Sequence, residues 1–387
     1  MLKKIKAAIN WIKEYFGTSR RRISWFMGVG LVLFSAHNID QPGLNLISLP
    51  SIGTIMILFA SCFAYLRGFW HLPPKRIWIP LAIISFSIVI TGAIEWSYHG
   101  LGTALMGVSL FFIFVSCRGL GPDIFKVFTV AVLVECAIIV YQGIAHPGIR
   151  TGGMFGGDVM SFGNYAMAMR LLVFGFLAST DIRRKKRWML LVPISIALFF
   201  SGAEETLLIA IIMGIALCVR KDLNRYLIMV PIAITALIVI TYPTGIPQQL
   251  YGKFADRIEA VGTNTYEGLN FASGHRLQTY KIVIENIRPF GHGYYVTEFG
   301  GIEKRVPHNV VLVIVEQVGP LAALVWLWVT GYMVIKTKWK YLFIGIFAMS
   351  LIDHALWTQA APWWWAAVGI ASAHQPADNT DRIFTDA

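Results

Sequence analysis

Arg150, Arg276, Arg288 and His308 are of types, and at positions, that suit chemistry on an anionic substrate. Arg150 opens the stretch Thr151-Gly152-Gly153-Met154-Phe155-Gly156-Gly157, and Arg288 follows Arg276 by about three turns of one predicted helix. A guanidinium presents a planar fork of donors that matches phosphate oxygens. On loops at a membrane surface such a set holds a lipid pyrophosphate; the other reading pairs it with Asp256, Glu259, Glu285 or Glu303 and with lipid headgroups. The loop of Arg150 offers no acid except Asp158. His308 stands in Val306-Pro307-His308-Asn309. Proline suits the first turn of a helix, so this histidine is expected where a loop passes into an apolar run. A neutral imidazole there accepts a proton from a hydroxyl, or serves as a structural donor. Glu204 and Glu205 are expected at a turn between spans, and Arg170 with Glu135 forms a possible intramembrane pair. The glycine-rich stretch lacks the Lys-Ser/Thr ending of a phosphate loop. The outside segments hold no His-x-x-x-His, no cysteine pair and no Asp-x-Asp, so no metal and no cofactor is expected. Cys62, Cys117, Cys136 and Cys218 fall in or beside apolar segments and read as buried free thiols.

The elements that must position these residues are apolar helices. Of 387 residues 56% are hydrophobic and 14% charged, where an ordinary soluble domain carries about a quarter charged. This excludes a soluble globular enzyme, a disordered chain and a disulfide scaffold. A run of roughly 20 apolar residues crosses a bilayer. The spans read as 23–39, 51–66, 77–94, 101–117, 124–144, 159–179, 188–202, 205–219, 226–242, 309–335, 341–358 and 362–373, with 188–219 either two spans or one re-entrant hairpin. The fold class is therefore all-α, a polytopic helical membrane protein of about twelve spans, the first an uncleaved anchor.

The net charge of +12 sits at the flanks of these spans, which excludes nucleic acid as the partner and names the lipid bilayer. With the N-terminus inside, inside segments carry 24 of the 33 Lys and Arg, including the run 183–187. Arg150 stands alone in one outside loop, and the other outside basic residues lie in 243–308. Residues 1–22 read as a cytoplasmic amphipathic helix, 23–242 as spans one to nine, 243–308 as the long outside loop, 309–373 as the last three spans, and 374–387 as a cytoplasmic tail. A structureless loop of that length is unusual, so helices are expected within it: one with the stripe Tyr251, Phe254, Ile258 and Val261, a second with Leu277, Tyr280, Ile284 and Ile287.

Taken together, these residues resemble the O-antigen ligase/polymerase superfamily of bacterial inner-membrane glycosyltransferases. Arg150 with Thr-Gly-Gly-Met-Phe-Gly is similar to the family's Arg-x-x-Gly-x-Phe segment. Gly274-His275-Arg276, with the later Arg288-Pro289-Phe290-Gly291-His292-Gly293, resembles its second arginine motif and Pro-x-Gly-x-Gly turn. His308-Asn309, followed after nine intervening residues by Gly319, is similar to the ligase signature. The chain departs from the family pattern at Ser201-Gly202-Ala203-Glu204, at Gly157-Asp158 and at Ala322.

The resemblance implies a GT-C-like fold whose 243–308 loop is periplasmic and catalytic, in the bacterial inner membrane. It implies an undecaprenyl-pyrophosphate-linked glycan as donor and a lipid or glycan hydroxyl as acceptor. Arg150 and Arg276 would stabilise the leaving pyrophosphate and His308 would take the acceptor proton, with inversion and without metal. Arg288, Tyr280 and Asn309 are the further candidates for holding pyrophosphate and acceptor. Ligase action on lipid A core, polymerisation of lipid-linked repeats, and transport through Arg170 and Glu135 remain the competing activities.

Overall fold

The computed structural model describes residues 19–35, 49–95, 98–145, 176, 190–197, 256, 259–263, 265, 267–268, 276–293, 298–299, 302–303, 307–352, 356–357 and 361–373. The amphipathic helix expected over 1–22 lies outside these but for its last residues. So do most of the spans drawn from 159 to 242, with Arg170, Glu204, Glu205 and Cys218.

The described chain is helical. In order it forms α1 (Arg20–Ser35), α2 (Leu49–Leu66), α3 (Lys75–Glu95), α4 (Tyr98–Leu120), α5 (Asp123–Ala145), α6 (Arg276–Glu285), α7 (Val310–Gln317), α8 (Pro320–Lys336), α9 (Lys340–Ile352) and α10 (Ala361–Ser372). Between α6 and α7, β1 (Glu298–Phe299) pairs antiparallel with β2 (Ile302–Glu303), Glu298 opposite Glu303. The Gly300-Gly301 pair between them is a two-residue hairpin signal. Segments 75–94, 100–120 and 123–145 are long and apolar enough to cross a membrane; 52–66, 320–336 and 340–351 are apolar but shorter. Such helices suit a lipid bilayer.

One expected span is two helices. The run 309–335 breaks at Val318-Gly319, between α7 and α8. Gly319 has φ 106 and ψ 164, a region open essentially to glycine, and Pro320 starts the next helix. A second correction concerns thiols. Cys117 and Cys136 are buried, but Cys62 is exposed on the outer face of α2.

α10 is apolar on every side and all twelve of its residues are buried, as a helix without a polar face requires. Trp363 stacks on Phe128 of α5 with centroids 3.8 Å apart, and its indole N–H donates to Ser35 Oγ of α1 at 2.9 Å. Trp364 donates to Thr330 Oγ1 of α8 at 3.2 Å. Gly369 lets α10 approach the backbone of α4 at Phe114. One helix thus ties α1, α4, α5 and α8 together.

The contacts give the bundle two distinct ends. Ser24 Oγ near the start of α1 donates to the Leu120 carbonyl that closes α4. The Arg76 guanidinium at the start of α3 lies over the Tyr332 ring near the end of α8. Arg20, Arg76, Arg118, Lys126 and Lys336 therefore share one end. At the other, Asn309 before α7 meets Leu351 of α9, and Thr91 near the end of α3 meets the turn after α6. α1 and α3 therefore run away from the basic end, and α4 and α8 run toward it.

Candidate functional site

The site is built where α6, the turn after it and the break between α7 and α8 meet. α6 begins at Arg276, which is half-buried. A cation at a helix N-terminus opposes the helix dipole, so its position favours an anion nearby. Tyr280 lies one turn on, on the same face. Its hydroxyl donates to the backbone carbonyl of His308 at 3.1 Å. That bond docks α6 against the start of α7.

The apolar stripe of α6 departs from expectation. Its buried residue is Val283, while Ile284 and Ile287 are exposed. Burial follows the face that carries Arg276, Tyr280 and Val283, so tertiary contact, not the most apolar face, orients the helix. Of the first expected stripe, Tyr251, Phe254 and Ile258 lie outside the described residues, and Val261 is exposed.

His308 and Pro307 stand before the helix, not in its first turn. The N-cap is Asn309, with φ −161 and ψ 122, and its Oδ1 accepts from the Leu312 N–H at 3.1 Å. Its Nδ2 donates to the Leu351 carbonyl at 3.1 Å. The amide thus uses both ends on protein, and it fixes the residue that follows His308 against α9. The His308 side chain is half-buried.

The Arg288–Gly293 segment folds as a turn seated on the helix break. The last carbonyls of a helix have no partner within it. At the end of α7 they are met from outside: the His292 N–H donates to the Glu316 carbonyl at 2.7 Å and the Gly293 N–H to that of Gln317 at 3.1 Å. Thr91 Oγ1 donates to the Phe290 carbonyl at 3.1 Å, and His292 Nε2 donates to the Asn286 carbonyl at 2.6 Å. Gly291 has φ 69, and a Cβ there would collide with the backbone of Gln317; one on Gly319 would collide with the Pro289 carbonyl. Arg288 is left exposed beside this turn, and the nearby Glu285 pairs instead with Lys281 at 3.8 Å.

Of the residues expected from sequence, Arg276, Tyr280, His308 and Asn309 are drawn to one junction, with Arg288 at its edge. Arg150 lies outside the described residues; α5 runs away from the basic end and closes at Ala145, five positions before it. Sequence reasoning missed three supports: Thr91, the buried Glu316 at the break, and Gln317, whose Oε1 accepts from the Trp357 indole at 3.0 Å. The signal for the break was present, since Gly319-Pro320 interrupts an apolar run. Among the described residues no three His, Cys, Asp or Glu side chains gather as a metal site would need. No protein-family model matches the chain, and no curated protein matches its sequence.

Proposed function

We propose that the protein is a membrane glycosyltransferase of the O-antigen ligase type. It moves a glycan from undecaprenyl-pyrophosphate to an acceptor hydroxyl, on lipid A core or a similar glycolipid, at the periplasmic face of the bacterial inner membrane. The observation that carries this reading is the Tyr280–His308 hydrogen bond. It joins the helix headed by Arg276 to the residue of the His-Asn motif, two segments separated by 28 positions that the reaction needs side by side.

In the proposed reaction the His308 imidazole accepts the acceptor proton as that oxygen attacks the anomeric carbon. The new C–O bond forms on the face opposite the pyrophosphate, the old C–O bond breaks, and its electron pair leaves on the diphosphate oxygen. Configuration at the anomeric carbon inverts. Arg276 at the N-terminus of α6, Arg150 and Arg288 take the growing charge, the helix amides adding to the anion's attraction. Arginines carry this charge in place of a metal ion. Tyr280 and Asn309 act by holding the backbone on either side of the imidazole.

The test uses purified protein with a lipid-linked glycan donor and a lipid A core acceptor. His308→Ala, Arg276→Ala and Arg150→Ala, each matched for membrane expression, are expected to abolish product. Arg276→Lys is expected to rescue poorly, because an ammonium lacks the bidentate fork. Full product from His308→Ala removes it as the base. A polymerase in place of a ligase is identified by growth of lipid-linked chains without the core acceptor. Transport is the second reading. It is favoured by the helix break at Gly319 and the buried Glu135 and Glu316, since transporters use discontinuous helices and intramembrane ionisable groups. Movement of labelled donor across vesicles without transfer would establish it.

A further inference from the structure

The turn over 288–293 is a non-helical piece of the site, and two helices fix its depth. Its Phe290 carbonyl accepts from Thr91 Oγ1 at 3.1 Å. Thr91 lies one helical turn inside the far end of the apolar segment Lys75–Ile94, which is long enough to cross a membrane. Gly291 of the same turn packs directly on the Gln317 backbone at the end of α7. At the basic end, the Arg76 guanidinium carbon lies 5.7 Å from the centroid of the Tyr332 ring, which sets the start of α3 level with the end of α8. From that level to Thr91 along α3 is about 22 Å, and to Gly319 along α8 about 20 Å, at roughly 1.5 Å per residue. Both fall short of the hydrocarbon thickness of about 30 Å. The turn therefore sits at or just below the edge of the hydrocarbon, not above it in water.

Side chains and backbone both fit that depth. Ile284, Ile287 and Phe290 are 59%, 50% and 49% exposed, so the end of α6 and the turn present large apolar residues outward. Ile94, one turn beyond Thr91 on the same face of α3, is exposed as well. Polar groups of the same segment are taken up by protein. Asn286 Nδ2 donates to the Ile282 carbonyl at 2.8 Å, the Gly291 N–H donates to the Arg288 carbonyl at 3.1 Å, and the His292 and Gly293 amides donate to the end of α7. Glu285 pairs with Lys281. Irregular backbone at membrane depth requires such partners, whereas a loop in water does not. We propose that residues 284–290 are inserted among the acyl chains of the leaflet at the His308 end, with lipid covering Ile284, Ile287 and Phe290. A soluble partner would have to reach below the headgroups to cover these residues; acyl chains are already there. Arg288, exposed between Ile287 and Phe290, has a stem long enough to lie along lipid with its head among the phosphates. The Tyr280–His308 junction then works at the membrane boundary. The proposal rests on these helices standing in a bilayer and is independent of the transferase reading.

Single nitroxide labels on the full chain in dioleoyl phosphatidylcholine nanodiscs test it. Ile287→Cys and Phe290→Cys carry the label in turn. Phe86→Cys, on the exposed flank of α3, is the lipid reference, and Arg67→Cys, in the exposed turn after α2, is the water reference. All are made in a Cys62→Ser/Cys218→Ser background, which leaves the buried Cys117 and Cys136 in place. Power saturation compares each label's collisions with oxygen, which concentrates among acyl chains, and with a nickel chelate, which stays in water. Labels at Ile287 and Phe290 are both expected to fall on the Phe86 side, with oxygen-to-nickel ratios several-fold above that of Arg67. Should Phe290→Cys fail to fold, Ile284→Cys takes its place with the same expectation. A ratio equal to that at Arg67 would put the segment in water, and low access to both reagents would mean that protein covers it; either result at either position overturns the proposal. A water-like ratio at Phe86 as well would overturn the membrane reading itself.

Discussion

At the scale of single residues, the site divides into groups that would touch substrate and groups that hold those groups still. Tyr280 belongs to the second kind, because its hydroxyl is already engaged with the His308 carbonyl. Tyr280→Phe removes one hydrogen bond, about 0.5–1.5 kcal/mol of net stability. On the proposed reading, with His308 as base, its effect on transfer is larger, because a small misplacement of the base costs up to roughly 100-fold in rate. The expected outcome is kcat down about 10- to 100-fold with KM for donor little changed. A raised KM with unchanged kcat would make Tyr280 a substrate contact instead. Asn309 is comparable: an alanine there loses the N-cap, worth about 1 kcal/mol, and the bond to Leu351 as well. The residue types that carry the proposed function stand in the sequence itself: arginines, a histidine and an asparagine between apolar runs suit anion binding and proton transfer. Which partner each polar atom takes was not legible there, because those partners are backbone carbonyls, which the identities of distant residues do not encode.

At the scale of elements, the feature that organises the site is the break between α7 and α8. A continuous helix over 309–335 would satisfy its own carbonyls and leave the 288–293 turn nothing to bind. The break frees the carbonyls of Glu316 and Gln317, and the turn's amides take them. Gly319 makes the break possible through its φ of 106 and its lack of a Cβ, which would collide with the Pro289 carbonyl. Gly319→Ala is expected to cost about 1–3 kcal/mol from backbone strain alone. It should also undock the turn, so hydrogen exchange at the His292 and Gly293 amides should accelerate while the Trp363 region stays protected. Unchanged exchange at both amides would mean that the turn holds without the break.

At the scale of the whole molecule, α10 is the hub and the ends of the bundle are unlike. Trp363→Ala removes the stack on Phe128 and the bond to Ser35 together, and large-to-small changes of an aromatic core residue cost about 3–5 kcal/mol. Thermal unfolding in detergent should show that loss, whereas Trp328→Ala on the exposed flank of α8 should shift the midpoint far less. Composition and apolar run length determined by themselves that the described chain is built of apolar helices, three of them long enough to cross a membrane. They did so because the need to satisfy backbone polar groups in an apolar medium acts on each segment locally. Tertiary structure alone decided that α6 turns its Arg276–Tyr280 face inward, that an apolar run divides at Gly319, and that the glycine turn fills the division. Those outcomes depend on hydrogen bonds and packing between segments far apart in the chain, and no single segment's pattern contains them.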